Sequence, residues 1–131
     1  MSYSVEYVIN LDCSSKHLFS CLTDQMKLSQ WFLPQVITTP VEGTVAAFAY
    51  EFDLNFKMEL IRLEEDKIVH WECVDGYKDW LGSKVMFLIK KNGDATTLHF
   101  SHTGLTNEDK KDKTIESWRK YLEALKYLCE K

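Results

Sequence analysis

The sequence predicts an α+β domain in which a curved antiparallel sheet of about six to seven strands wraps a long C-terminal helix. Three observations predict it. An alternating strand opens the chain, short β-rich segments bounded by turn residues fill its middle, and one long amphipathic helix ends it. A sheet and a helix of this kind each carry an apolar face, and curling the sheet around the helix buries both.

From Tyr3 to Leu11, Val5, Tyr7, Ile9 and Leu11 recur at period two, the pattern of a half-buried strand. At Asp12-Cys13-Ser14-Ser15 the period changes. Ser14 caps a predicted short helix carrying Leu18, Phe19, Cys21 and Leu22, and Asp24 caps a second with Met26, Leu28, Trp31 and Phe32. Pro34 stops it, since proline disfavours helix at the residue before it. Beyond Pro40 and Gly43, strands are predicted over Thr44 to Phe52, Asn55 to Leu63, Lys67 to Val74, Lys84 to Lys91 and Thr96 to Thr103. The connections Glu64-Glu65-Asp66 and Asn92-Gly93-Asp94 have the length that joins antiparallel neighbours, so a meander is the simplest topology. The last helix opens at Thr106-Asn107-Glu108-Asp109 and puts Ile115, Trp118, Leu122, Leu125 and Cys129 on one stripe. At about 20 residues it is roughly 30 Å long, enough to cross a small domain.

The 131 residues, 45% hydrophobic and 27% charged, predict one domain over residues 1–131. A net charge of -4 spread along the chain offers no basic field for phosphates, so nucleic acid is not an expected partner. No apolar stretch approaches the roughly 20 residues of a membrane span. The start, Met1-Ser2-Tyr3-Ser4-Val5-Glu6, lacks the basic and apolar regions of a secretory signal, which points to the cytoplasm. Cys13, Cys21, Cys73 and Cys129 are scattered without a C-x-x-C pair and read as buried thiols, not as a disulfide framework.

The aromatic set is the strongest hint of function. Trp31, Phe48, Tyr50, Phe56, Trp71, Trp80, Phe87, Phe100, Trp118 and Tyr121 are many rings for one small core. Rigid rings can line a pocket for an apolar ligand, or they can pack solid, and both readings stand. The candidate ligand-binding residues are Trp31, Phe48, Tyr50, Met58, Trp71, Phe87, Phe100, His102, Trp118 and Leu122. His99 and His102, three apart on a strand, face opposite sides and cannot share a metal ion. His102 ends an inward row with Leu98 and Phe100, a setting that favours a hydrogen-bonded structural histidine over a ligand or a base.

His70 and Glu72 share a strand face and would form a proton-transfer pair if that face looked inward. The more apolar Val69, Trp71 and Cys73 favour the opposite orientation. Their His-x-Glu spacing belongs to zinc deaminases only with a Pro-Cys-x-x-Cys that is missing here. Arg62 follows Met58 and Leu60 in register and reads as a surface arginine or as a partner for a ligand carboxylate. The mixed run Glu108-Asp109-Lys110-Lys111-Asp112-Lys113 reads as exposed helical turns. No Ser-His-Asp order, phosphate loop or carboxylate pair appears, and no metal or other cofactor is expected.

Three segments carry a family resemblance. They are Trp80-Leu81-Gly82-Ser83-Lys84-Val85-Met86-Phe87, Thr96-Thr97-Leu98-His99-Phe100-Ser101-His102-Thr103-Gly104-Leu105 and Trp118-Arg119-Lys120-Tyr121-Leu122-Glu123-Ala124-Leu125-Lys126-Tyr127, with Leu22-Thr23-Asp24 and Trp31-Phe32 before them. Their order and spacing resemble the superfamily that unites START domains, aromatic polyketide cyclases and birch-pollen-type allergens. Within it they resemble the branch named after the activator of heat-shock-protein-ninety ATPase. The resemblance implies a helix-grip fold over nearly the whole chain and no shared catalytic residue. It implies first the binding of a hydrophobic or aromatic small molecule between the sheet and the stripe of Trp118, Leu122 and Leu125. An enzyme of cyclase or isomerase type, with His70, Glu72 or His102 as base, is the alternative, and a protein partner, through a chaperone-regulating module, is the third reading.

Overall fold

The computed structural model describes residues 2–50 and 54–131. Strand β1 (Tyr3–Leu11) leads into helices α1 (Ser15–Thr23) and α2 (Gln25–Trp31). Strands β2 (Gln35–Ile37), β3 (Val45–Tyr50), β4 (Leu54–Glu64), β5 (Ile68–Gly76), β6 (Lys84–Asn92) and β7 (Ala95–Leu105) follow, then a 3-10 turn (Glu108–Lys110) and α3 (Lys111–Cys129). The end of the predicted strand at Phe52 lies outside the described residues. The other predicted elements appear within a few residues of their expected ends, and one three-residue strand, β2, is new.

The strands form one antiparallel sheet in the order β1-β7-β6-β5-β4-β3-β2. Successive strands from β2 to β7 are neighbours, which is the expected meander, and β1 adds to its far side along β7. The first and second strands therefore lie at opposite edges. The α1–α2 hairpin makes that crossing over the sheet's concave face. Register shifts between Lys57 and Met58 and between Leu60 and Arg62 interrupt the β4–β5 ladder, and bulges of this kind bend a sheet toward such a grip.

Helix starts follow from local chemistry. The Ser14 side chain accepts from the His17 amide at 3.1 Å, and Asp24 accepts from Lys27 at 3.1 Å, so each cap satisfies an otherwise unpaired donor. At α3 the Asn107 side chain takes the Asp109 amide first, and the chain makes a 3-10 turn before the α-helix proper. That helix turns Thr114, Trp118, Leu122, Leu125 and Cys129 inward. Tyr3 donates to Thr114 Oγ1 at 3.1 Å and Tyr7 to the Ile115 carbonyl at 3.1 Å, which ties β1 to the helix.

The thiol expectation is corrected for one pair: Cys13, just before α1, is disulfide-bonded to Cys129 at the end of α3. The two lie 116 residues apart in sequence, a proximity that only the tertiary fold creates. Among the described residues, Cys21 and Cys73 remain as buried free thiols. No described helix is long and apolar enough to cross a membrane.

Candidate functional site

Period-two alternation aims the same faces of β3 to β7 at α3, and register then pairs the rings. Phe48 stands opposite Phe56, Val69 opposite Phe87, Phe87 opposite Phe100, and Phe100 opposite Tyr7. Across the cleft, Trp118 of α3 lies between two stacked neighbours. Phe32 is 5.4 Å away at an interplanar angle of 13°, and Trp80 is 5.7 Å away at 9°. Phe100 approaches the same indole to 4.4 Å. Offset and edge contacts at these separations are the favourable ring geometries.

Nine of the ten candidate residues converge here. Trp31, Phe48, Met58, Trp71, Phe87, Phe100, His102, Trp118 and Leu122 are all buried. Tyr50 is not among them: it is 51% exposed near the end of β3. The rings leave almost no room. The crevice between sheet and helices, bordered by Leu22, Leu28, Phe48, Leu60 and Trp71, measures about 10 Å³, at or below the space one water molecule requires. A larger depression of about 520 Å³ lies at the far end of the molecule, between the start of α1 and the β4–β5 and β6–β7 turns. Its border includes Lys16, Asp66, Lys67, Lys91 and Asp94, a polar setting unlike the ring cluster.

Phe32 was absent from the candidates, and it is the centre of the cluster. Its ring lies within 6.1 Å of Trp31, Phe48, Phe56, Trp71, Trp118 and Tyr121. It belongs neither to the sheet nor to α3. The residue caps the C-terminus of α2, its amide bonded to the Leu28 carbonyl at 2.9 Å, on the short connection that Pro34 ends. Its signal in sequence was its place at the end of the predicted second helix, after Met26, Leu28 and Trp31 and before Pro34; the helix ends at Trp31, so the helical period does not give the direction of Phe32.

One polar chain runs through this apolar volume. Trp118 Nε1 donates to His102 Nδ1 at 2.9 Å. Indole nitrogen is a donor only, so Nδ1 is the acceptor and Nε2 carries the proton. Nε2 then donates to Ser83 Oγ at 2.7 Å, and Ser83 donates to the Trp80 carbonyl at 2.5 Å. Every member is paired, as buried polar groups require. Burial lowers the His102 pKa to about 3. With both nitrogens engaged, this imidazole is a neutral structural link and is not free to take a proton from a substrate.

The other candidate groups lie elsewhere. Val69, Trp71 and Cys73 take the buried face of β5, which leaves His70 and Glu72 on the outer face. His70 keeps a depressed pKa there, chiefly through burial and then through Lys84. Arg62 donates to Glu64 at 2.5 Å, with 56% of its side chain exposed, and is a surface arginine.

The family profile described as "Activator of Hsp90 ATPase homolog 1-like protein" matches residues 12–130. No curated protein matches in sequence. Solved structures do. The Aha1 dimer from Colwellia psychrerythraea, at 19% identity, superposes with a TM-score of 0.87 over 98% of this chain and 96% of that one. A protein from Mesorhizobium loti, at 17% identity, gives 0.84 over 96% of each chain. CalU16 from Micromonospora echinospora, at 20% identity, gives 0.78 over 97% of this chain and 74% of that one. At these identities the likeness is one of fold: the helix-grip architecture.

Proposed function

The chain belongs to the Activator of Hsp90 ATPase homolog 1-like family, and from that premise we propose that it binds a hydrophobic or aromatic small molecule between the sheet and α3. The observation that carries this reading is the placement of Phe32. The enclosure is walled by rings on rigid elements, yet its centre is filled by one ring on a short connection between α2 and β2. Swinging that ring outward opens an apolar, aromatic-lined space without breaking a sheet hydrogen bond, and a flat ligand would take its place against Trp118. Loops and connections are the elements that move at such sites. The reading treats residues 1–131 as one START-like domain working in the cytoplasm.

A thermal-shift screen against fatty acids, sterols, flavonoids and polyketide-like aromatics tests it. A binder at 100 times its dissociation constant adds about 2.7 kcal/mol, several degrees at this chain length. Trp118→Ala and Phe100→Ala should then weaken binding as well as stability. A flat response across the panel, or variants that lose stability while keeping affinity, would remove the pocket and turn the search toward protein partners.

A further inference from the structure

The α1–α3 junction, which borders the ring cluster where Trp31 Nε1 donates to the Cys21 carbonyl at 2.7 Å, gathers sulfur and imidazole. His17 and Cys21 stand one helical turn apart on α1, so both project from one face. That face meets the end of α3, where Cys129 is buried. The ligand atoms of His17, Cys21 and Cys129 all lie within 4.8 Å of one another, and His17 Nε2 is 3.9 Å from Cys21 Sγ. Cys13, bonded to Cys129, supplies a third sulfur, and so a fourth ligand group, at the same junction. A tetrahedral zinc site, with Zn–S near 2.3 Å and Zn–N near 2.0–2.1 Å, keeps its ligand atoms roughly 3.5–3.8 Å apart. Contraction of the widest separation, 4.8 Å at most, by no more than about 1.3 Å brings the observed trio to that spacing.

We propose that Cys13, His17, Cys21 and Cys129 form a site for a soft divalent cation, zinc above all, that exists only when the Cys13–Cys129 bond is reduced. Three thiolates and one imidazole are a structural zinc set, and thiolates select zinc over hard cations. The chemistry balances. A dithiol reductant gives two electrons and two protons to the Cys13–Cys129 bond, leaving two thiols and its own disulfide. Zinc then displaces the protons of Cys13, Cys21 and Cys129 and is bound by neutral His17, for a site charge of -1. Lys27, which acts electrostatically on Cys21, offers the compensating charge. Reducing compartments hold such cysteines as thiols, so disulfide and metal are mutually exclusive states of one junction, and both fasten the chain's last helix to its first.

The test uses the full chain, reduced and handled without oxygen, titrated with Co2+ as a spectroscopic probe and then with Zn2+. The expected result is intense tetrahedral thiolate–cobalt absorption that saturates at one equivalent and is displaced by Zn2+. The disulfide-bonded protein should show none of it. Cys21→Ser, which spares the Cys13–Cys129 pair, should weaken Co2+ binding at least 10-fold, and His17→Ala should weaken it too. Zinc should also protect Cys13, Cys21 and Cys129 from alkylation, mapped by mass spectrometry, while Cys73 behaves as an internal control. Reduced protein that is folded by circular dichroism but shows no tetrahedral band overturns the proposal. So does Cys21→Ser protein that titrates like the wild type.

Discussion

Phe32→Ala deletes the ring that meets six others at the centre of the enclosure. Phe32 is only 6% exposed, and truncating a buried phenylalanine costs about 3–5 kcal/mol when the surroundings cannot collapse. Collapse is hindered here because the lining rings sit on paired strands, on α3 and, for Trp31, on α2. With an unfolding entropy of about 2.1 cal/mol/K per residue, the loss corresponds to a fall in Tm of about 10–18 °C for 131 residues. The space left is apolar and aromatic-lined. A dry cavity of about 150 Å³ takes up benzene, so saturating benzene or toluene should restore several degrees to Phe32→Ala and few to the wild type. Differential scanning calorimetry with and without the aromatic reads both numbers. A loss under about 1 kcal/mol would refute the central position assigned to this ring, and a full loss with no aromatic rescue would refute the rigid enclosure.

Because His102 is neutral in the fold with its pKa near 3, only the unfolded chain gains a proton there as pH falls from about 6.5, so stability drops between pH 6.5 and 3 by up to about 1.4 kcal/mol per pH unit. Urea unfolding across that range should show the slope, and His102→Phe should flatten it; an unchanged slope would shift the acid sensitivity to other groups. Trp118→Phe keeps a ring but strands His102 Nδ1, and should cost about 1–3 kcal/mol in urea midpoints, with a loss below about 0.5 kcal/mol counting against the polar chain. Gly76 has φ +93° and pairs with Phe56 so closely that an added Cβ would strike the Asn55 carbonyl and the Phe56 Cα. Gly76→Ala should therefore cost at least about 1–3 kcal/mol, and a neutral result in thermal unfolding would show that β4 and β5 separate there without penalty.

Legibility tracked how local each cause was. β1 was readable to its last residue because its alternation is uninterrupted, and both short helices were readable from Ser14 and Asp24, whose caps depend on the next three residues alone. β2 was not: three residues with Gln35 and Ile37 exposed give alternation no length in which to appear. The ring cluster could be collected from residue type, yet its most central member could not, since Phe32 lies just past the last helical turn. Tyr50 shares the period of Phe48, and only its place near the strand's end leaves it in solvent. His17 and Cys21 are four residues apart in plain sight, but nothing local announces that Cys13 and Cys129 join them.

The placement of β1 also sets the order of events during synthesis. β1 is complete once Leu11 is made, yet among the described residues its sheet partner is β7 alone, whose last residue is Leu105. At about 5–20 residues per second, roughly 5–20 s pass between the two. Until then the nascent chain holds a strand with open backbone donors and acceptors, and the meander from β2 to β6 forms with an unfinished edge. Such edges pair readily with other chains, so the interval before β7 emerges is when the ribosome-bound protein most needs a chaperone's cover.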